Sequence, residues 1–216
     1  MITVRSIIGS PFGRAVLAGC IEKNAPYRLA PLAPGEHKAP AYVAQHPFGR
    51  VPLIDDDGFV LYETQAILRY LDATQPGPRL TPSDSKAEAR MNQAIGILES
   101  YVFRHGSALT LVFNRLIAPR LGFPIDDAAA EAAIPTTRHC MEVLAGFLAK
   151  GPYLAGDQVS LADLHVGPHL DMLAETPEGA EILAGSPLVP WLERLRARPS
   201  FAKTTWDGLA AQAAAA

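Results

Sequence analysis

Residues 51–71 read VPLIDDDGFVLYETQAILRYL. Two short β-rich runs flank Asp57-Gly58, a strong signal for a tight hairpin. The apolar residues then move to helical spacing at Ile67, Tyr70 and Leu71, so a helix follows the hairpin. Upstream, ITVRSII at 2–8 is a short β-rich run. Val16, Leu17, Cys20 and Ile21 recur at helical spacing and predict a helix over 11–24. PYRLAPL at 26–32 is a second strand candidate. The first third therefore reads β-α-β-(short α)-β-β-α.

TQPGPRLTPSD at 74–84 holds three prolines and a glycine and reads as a linker. Beyond it no strand signal appears. Residues 84–118 carry Ala94, Ile97, Leu98, Tyr101 and Val102 on one face, and Pro119 is expected to end that helix. Residues 127–150 carry Cys140, Val143, Leu144, Phe147 and Leu148 on one face. SLADLHVG opens a third helix and PLVPWLERLRA a fourth, while the tail LAAQAAAA is expected to fray. The expected organisation is a small α/β domain over 1–74, a linker over 75–84 and an all-helical domain over 85–216.

The bulk numbers exclude several classes. Of 216 residues, 49% are hydrophobic and 19% charged, a globular composition. A formal charge of −3 argues against nucleic acid held by phosphate contacts. Cys20 and Cys140 are the only cysteines and no C-x-x-C occurs, so neither a disulfide framework nor a cysteine zinc site is expected. The start MITVRSIIG lacks the features of a secretory leader. No run approaches the roughly 18 apolar residues that span a bilayer. The expectation is a soluble cytoplasmic protein with no membrane partner.

Three stretches carry chemistry. SPFGR at 10–14 puts a hydroxyl at a strand-to-helix seam, where backbone N–H groups point at whatever sits there. Ser10 is either a helix cap or a working group. Val51-Pro52 stands at a strand start, where proline is tolerated only at an edge or a bend. A cis bond there turns the Val51 N–H and C=O outward. On frequency alone trans is expected, since only about 5–6% of X-Pro bonds are cis. Thr64 reads as the N-cap of QAILRYL, with Glu63 just before it. A ligand carboxylate there meets free helix N–H groups and the Thr64 hydroxyl, and Glu63 meets a ligand ammonium. One small molecule with both groups is an amino acid end. GEHKAP at 35–40 adds His37 and Lys38 in a loop between Pro34 and Pro40, suited to a second carboxylate or to solvent alone.

Taken together, SPFGR, GEHKAP, HPFGRVPLI and LYETQAILRYL resemble the glutathione transferase family. The resemblance is closest to serine-type members of the phi class and their bacterial relatives. YLAGDQVSLADL at 153–164 matches the family's second-domain motif, with Ser160 and Asp163 as a capping box. It spans Met1 to about Phe201 and implies a thioredoxin-like first domain binding glutathione, followed by a helical domain. Ser10 then matches the catalytic serine and Arg14 a structural arginine. His37 and Lys38 match residues that meet the glycine carboxylate of glutathione, and Arg50 stands where relatives carry glutamine or lysine. Val51 and Pro52 match the cysteinyl-binding residue and its cis proline. Glu63 and Thr64 match the Glu-Ser pair at the γ-glutamyl end. His46 replaces the usual asparagine of NPxG. The electrophile pocket is expected around Pro11, Phe12, Leu32, Tyr101 and His105. A homodimer is implied, with glutathione as co-substrate and no metal.

A free thiol has a pKa near 8.5. Lowering it by about two units takes roughly 2.7 kcal/mol of preference for the anion. A hydroxyl hydrogen bond to a charged partner supplies about 1.5–3 kcal/mol, and a helix N-terminus up to about 1 kcal/mol. The seam at Ser10 suits that task. The competing class is a non-catalytic glutathione- or hydrophobe-binding or assembly protein on the same fold. Peroxidase, isomerase, dehalogenase or ether lyase chemistry is a further option. Three other features read as structural. His165 and His169 have zinc-compatible spacing but lack H-E-x-x-H, and Pro168 between them is expected to kink their helix. Asp55-Asp56-Asp57-Gly58 lacks a distal calcium ligand, and Cys20 lies on an apolar helix face. RLRARP at 194–199 is expected to be a solvated helix end.

Overall fold

The computed structural model describes residues 1–33 and 35–214. Pro34, one border of the 35–40 loop, and the last two residues lie outside that range. The chain divides into two compact units. One is Met1–Thr81 with the stretch from Arg196 onward, and the other is Pro82–Leu195.

In the first unit the elements are β1 (Ile2–Ser6), α1 (Pro11–Glu22), β2 (Tyr27–Pro31), α2 (Pro40–Val43), β3 (Leu53–Asp56), β4 (Phe59–Tyr62) and α3 (Thr64–Thr74), with a single 3-10 turn at Glu36–Lys38. The sheet order is β2-β1-β3-β4. β1 runs parallel to β2, with Ser6 opposite Pro31. It runs antiparallel to β3, with Arg5 opposite Leu53, and β3 pairs with β4 antiparallel, with Leu53 opposite Tyr62. Asp57 and Gly58 both take positive φ, 51° and 93°, and the Gly58 N–H donates to Asp55 Oδ1 at 2.8 Å. This is the primed two-residue turn that matches strand twist. The acidic run is thus a hairpin tip.

Val4, Val16, Leu17, Cys20, Ile54, Ile67 and Leu71 are fully buried in one cluster that joins sheet to helices. Each large aliphatic side chain so buried contributes about 1.5–3 kcal/mol. Cys20 is a core thiol whose pKa burial pushes up to about 12, so it is inert at neutral pH.

Lys23 is 2% exposed. Its ammonium meets Asp72 Oδ1 at 3.1 Å and the carbonyls of Gly77 and Pro78 at 2.8 and 2.9 Å. Asp72 in turn accepts the N–H groups of Leu80 and Thr81 at 2.8 and 3.0 Å. Burial raises the Asp72 pKa, but these bonds outweigh it and hold the carboxyl below its usual value. Leaving either charge unpartnered in such a place costs about 3–5 kcal/mol. The expected linker is therefore strapped to the first unit over 77–81.

Beyond α3 the second unit holds α4 (Ser85–Ile97), α5 (Ala108–Val112), α6 (Ala118–Leu121), α7 (Asp127–Phe147), α8 (Leu161–Ala174) and α9 (Pro177–Leu183). α10 (Leu188–Arg196) closes it. The expected single helix over 84–118 is broken. π-helical stretches occupy Leu98–Val102 and Phe113–Ile117, and a turn with Gly106 at φ 78° separates α4 from α5. Tyr101 is 60% exposed although helical spacing put it on the apolar face, because the π-stretch changes the register. Pro119 starts α6 instead of ending a helix, and Gly122 in the left-handed region caps it. Val143 is exposed while Cys140 and Leu144 are buried.

The capping box of Ser160 and Asp163 is present. Asp163 also accepts from the Leu154 N–H at 3.0 Å and the Trp191 indole at 2.8 Å. α8 runs continuously through Pro168. A proline inside a helix leaves the carbonyl four residues back without its helical donor. At the next carbonyl, that of His165, His169 Nδ1 lies at 2.8 Å.

The C-terminal stretch departs most from expectation. α11 (Pro199–Ala202) and α12 (Trp206–Ala214) form, and the tail is helical to Ala214. It belongs to the first compact unit. Arg198 is not a solvated helix end: its guanidinium meets both Glu22 oxygens at 2.7 and 2.8 Å.

His165 is fully buried, and its desolvation lowers the imidazole pKa to about 3. The unfolded chain takes up that proton near pH 6.5. The stability tied to His165 is therefore fully present above about pH 6.5 and is lost as the pH falls from there toward about 3. Urea midpoints measured from pH 7 down to 4 should decline, and His165→Leu should flatten the decline. An unchanged slope in that variant would assign the acid sensitivity to other groups.

Candidate functional site

Strand register decides what meets at one end of the sheet. β1 ends at Ser6 opposite the end of β2, β3 begins at Leu53 opposite Arg5, and β4 ends at Tyr62 opposite Leu53. The segments that leave this end are Ile7–Ser10, the loop after Pro31, Val51-Pro52 and Glu63-Thr64. Four strands at about 4.8 Å spacing put these loops across roughly 14 Å.

Ser10 is the N-cap of α1. Its backbone is extended, its Oγ accepts the Gly13 N–H at 3.2 Å, and Pro11 opens the helix where no N–H is missed. Among the described residues the Ser10 hydroxyl proton has no acceptor. Gly13 must be glycine: a methyl group there would lie 1.9 Å from Ser6 Oγ. Arg14 is buried, donates to the Phe201 carbonyl at 3.4 Å and stacks over the Phe201 ring at 5.3 Å. It is a structural cation, held where desolvation makes such stacking worth about 2 kcal/mol.

Val51-Pro52 is cis. No hydrogen bond among the described residues engages the Val51 N–H or C=O. The loop before it is held by four contacts. Lys38 Nζ donates to the Gly49 carbonyl at 2.7 Å, and the Tyr42 hydroxyl to the Arg50 carbonyl at 2.8 Å. His46 is buried and stacks on Tyr62 at 4.5 Å, and Phe48 stands edge-on to the same ring at 6.5 Å. Burial lowers the His46 pKa, so the ring packs as the neutral form. The residue in place of the usual asparagine is thus a packing element. His37 lies on the 3-10 turn, its pKa lowered by burial and then by the Lys38 charge. The Arg50 side chain is exposed.

Thr64 is not the cap. Glu63 holds that position, with φ 72°, ψ 115° and no side-chain cap bond, and Thr64 is the first helical residue and is buried. A non-glycine residue at such a φ is costly and is found where something over-determines it. Nothing in the sequence around Glu63 marks this conformation. Its carboxylate is exposed at the start of α3.

Pro11, Phe12 and Leu32 belong to the first unit; Pro11 is buried and the other two half-buried. Tyr101 and His105 belong to the second unit, exposed on the stretch between α4 and α5. Among the described residues, no group of three or more His, Cys, Asp or Glu could hold a metal ion. No helix there is long and apolar enough to cross a membrane.

Comparison with known proteins gives the same reading from outside. A family model described as glutathione S-transferase, N-terminal domain, matches residues 6–79, and one described as glutathione S-transferase, C-terminal domain, matches 97–199. Glutathione S-transferase 3 of Zea mays is 34% identical over 188 residues, 85% of this chain and 83% of that protein. Glutathione transferase F7 from Populus trichocarpa has a crystal structure that matches with a TM-score of 0.84 at 28% identity, over 94% of this chain and 97% of that one. Glutathione S-transferase I of maize, solved with an atrazine glutathione conjugate, matches with a TM-score of 0.81 at 26% identity, over 94% and 95%. The chain belongs to the glutathione S-transferase family, with a thioredoxin-like first domain and a helical second one. Glutathione is the co-substrate of these enzymes.

Proposed function

We propose that this protein conjugates glutathione to hydrophobic electrophiles, with Ser10 holding the glutathione thiol as thiolate. One observation carries the reading: the Ser10 hydroxyl already accepts the Gly13 N–H, and its proton has no acceptor among the described residues. A bound thiolate is the acceptor that completes it, next to the N-terminus of α1. The thiol proton leaves to solvent, sulfur forms a bond to the electrophilic carbon, and the displaced group departs with its electron pair.

The tripeptide lies across the sheet end. Its γ-glutamyl ammonium meets Glu63, and the adjoining carboxylate meets the Thr64 hydroxyl and the first N–H groups of α3, where a negative charge is favoured. The cysteinyl backbone pairs with Val51. The glycine carboxylate meets His37, Lys38 and Arg50. Pro11, Phe12 and Leu32 offer apolar surface to the electrophile. Cys20 and Cys140 are both buried thiols, which suits a reducing cytoplasmic compartment.

Ser10→Ala should raise the pH midpoint of the bound thiolate absorbance by about one to two units, at about 1.4 kcal/mol per unit. Conjugation of chlorodinitrobenzene should slow while glutathione affinity changes little, because the hydroxyl acts on the charge. Full activity in Ser10→Ala would assign the thiolate to another donor. Glu63→Ala should weaken glutathione binding by about 1–3 kcal/mol through loss of the ammonium partner. Unchanged affinity by calorimetry would remove Glu63 from the site. The protein is further proposed to be a homodimer, two-fold pairs being the commonest assembly. Light scattering should give twice 23.1 kDa at micromolar concentration, and a monomer would refute it.

A further inference from the structure

The end of the chain follows α1 from its last residue back to its first. At the far end, Arg198 and Ser200 close on the Glu22 carboxylate, with Ser200 Oγ 2.5 Å from Glu22 Oε1. One turn into α1, Phe201 receives Arg14 on both its carbonyl and its ring. Just before α1, Trp206 lies against Gly9. A methyl group on Gly9 would sit 2.0 Å from Cζ3 and 2.4 Å from Cε3 of the indole, and Gly9 itself has φ 90°. Only glycine fits there on both counts.

Trp206 is in turn anchored. It opens α12, whose first turn is tied by the Gly208 N–H to Thr205 Oγ1 at 3.1 Å. Leu209 is 3% exposed in the cluster that holds Ile2, Val4 and Leu29 of β1 and β2. The Tyr27 hydroxyl meets Gln212 Oε1 at 3.5 Å. The indole is thus fixed to the sheet and pressed on the residue before Ser10. Ser6, the residue before the turn, fills the space that Gly13 leaves open. The turn Ile7–Ser10 is closed by the Ser10 N–H to the Ile7 carbonyl at 3.0 Å, with the Trp206 indole against Gly9.

We infer that Trp206 is a positioning residue for Ser10: its indole, packed on Gly9, sets where the Ser10 hydroxyl stands. The inference rests on the proposed role of Ser10. A hydrogen bond weakens steeply with distance and angle, so a shift of the turn reaches the thiolate before it reaches the rest of the glutathione site. Trp206 makes no bond to glutathione in this scheme and acts through Gly9.

The test compares Trp206→Ala, Trp206→Phe and Ser10→Ala. Trp206→Ala should raise the pH midpoint of the bound thiolate absorbance by about one unit and slow chlorodinitrobenzene turnover near neutral pH about tenfold. Glutathione affinity should stay within about twofold. Trp206→Phe, which keeps a ring on Gly9, should restore the midpoint. A wild-type midpoint in Trp206→Ala alongside a shifted one in Ser10→Ala would overturn the inference and leave the function standing. A wild-type midpoint in both would remove the role of Ser10 and this inference with it. If Trp206→Ala loses the wild-type circular dichroism, Trp206→Leu takes its place under the same criteria. If both lose it, the fluorescence of the wild type decides, since Trp191 is fully buried in the other unit. A change in Trp206 emission when glutathione binds supports the inference, and none overturns it.

Discussion

β1 pairs with β2 in parallel on one side and with β3 in antiparallel on the other, and this mixed pairing is the constraint on which the candidate site depends. A parallel neighbour needs a crossover, so α1 must return the chain to the start of the sheet. The chain then reverses between β2 and β3 and again in the β3–β4 hairpin. The two connection types bring the ends of β1, β2 and β4 and the start of β3 to the same sheet end. The Ser10 turn, the cis Val51-Pro52 bond and the Glu63-Thr64 pair come from distant parts of the chain, and one set of ladder hydrogen bonds brings them together.

Around that frame, buried charges act as ties. Lys23 and Asp72 close the first unit by capturing the chain that leaves it. Glu22 does the same for the chain that returns, by taking Arg198 and Ser200. Burial raises the Glu22 pKa, and the Arg198 and Ser200 bonds with the Arg198 charge bring it below its usual value. Each tie satisfies most of its lone pairs or protons, and only then is a buried ion tolerable. Hydrophobic burial supplies the bulk of the stability, and these ties choose which segments are held against the sheet.

The helical unit is built differently. α8 is buried along nearly its whole length, so it has no polar face and serves as the unit's axis. Its histidines pack as neutral rings, with Phe103 edge-on to His169 at 4.4 Å. Two π-stretches interrupt the chain between α4 and α6. Each adds a residue to a turn, and the added residue rotates the side chains that follow. Tyr101 owes its exposure to that rotation.

The sequence alone determined the strands and helices whose signals are local. The Asp57-Gly58 hairpin, the Ser10 cap with Pro11 behind it, the capping box of Ser160 and Asp163, and the core spacing of α1 and α3 each depend on residues within one turn or one ladder step. The family motifs at 10–14, 46–54 and 61–71 were legible for the same reason. Tertiary structure decided the rest. Frequency alone favoured a trans Val51-Pro52, and the bond is cis. Thr64 looked like a cap, but the chain enters α3 through Glu63 at positive φ. Helical periodicity ran unbroken through 84–118, and the π-stretches broke it. The tail looked like a fraying alanine run, yet α12 forms over Trp206–Ala214 with Leu209 buried in the sheet's cluster. The last of these depends on partners far away in the chain, Gly9 for Trp206 and the β1–β2 cluster for Leu209, and spacing along one segment carries no information about such partners.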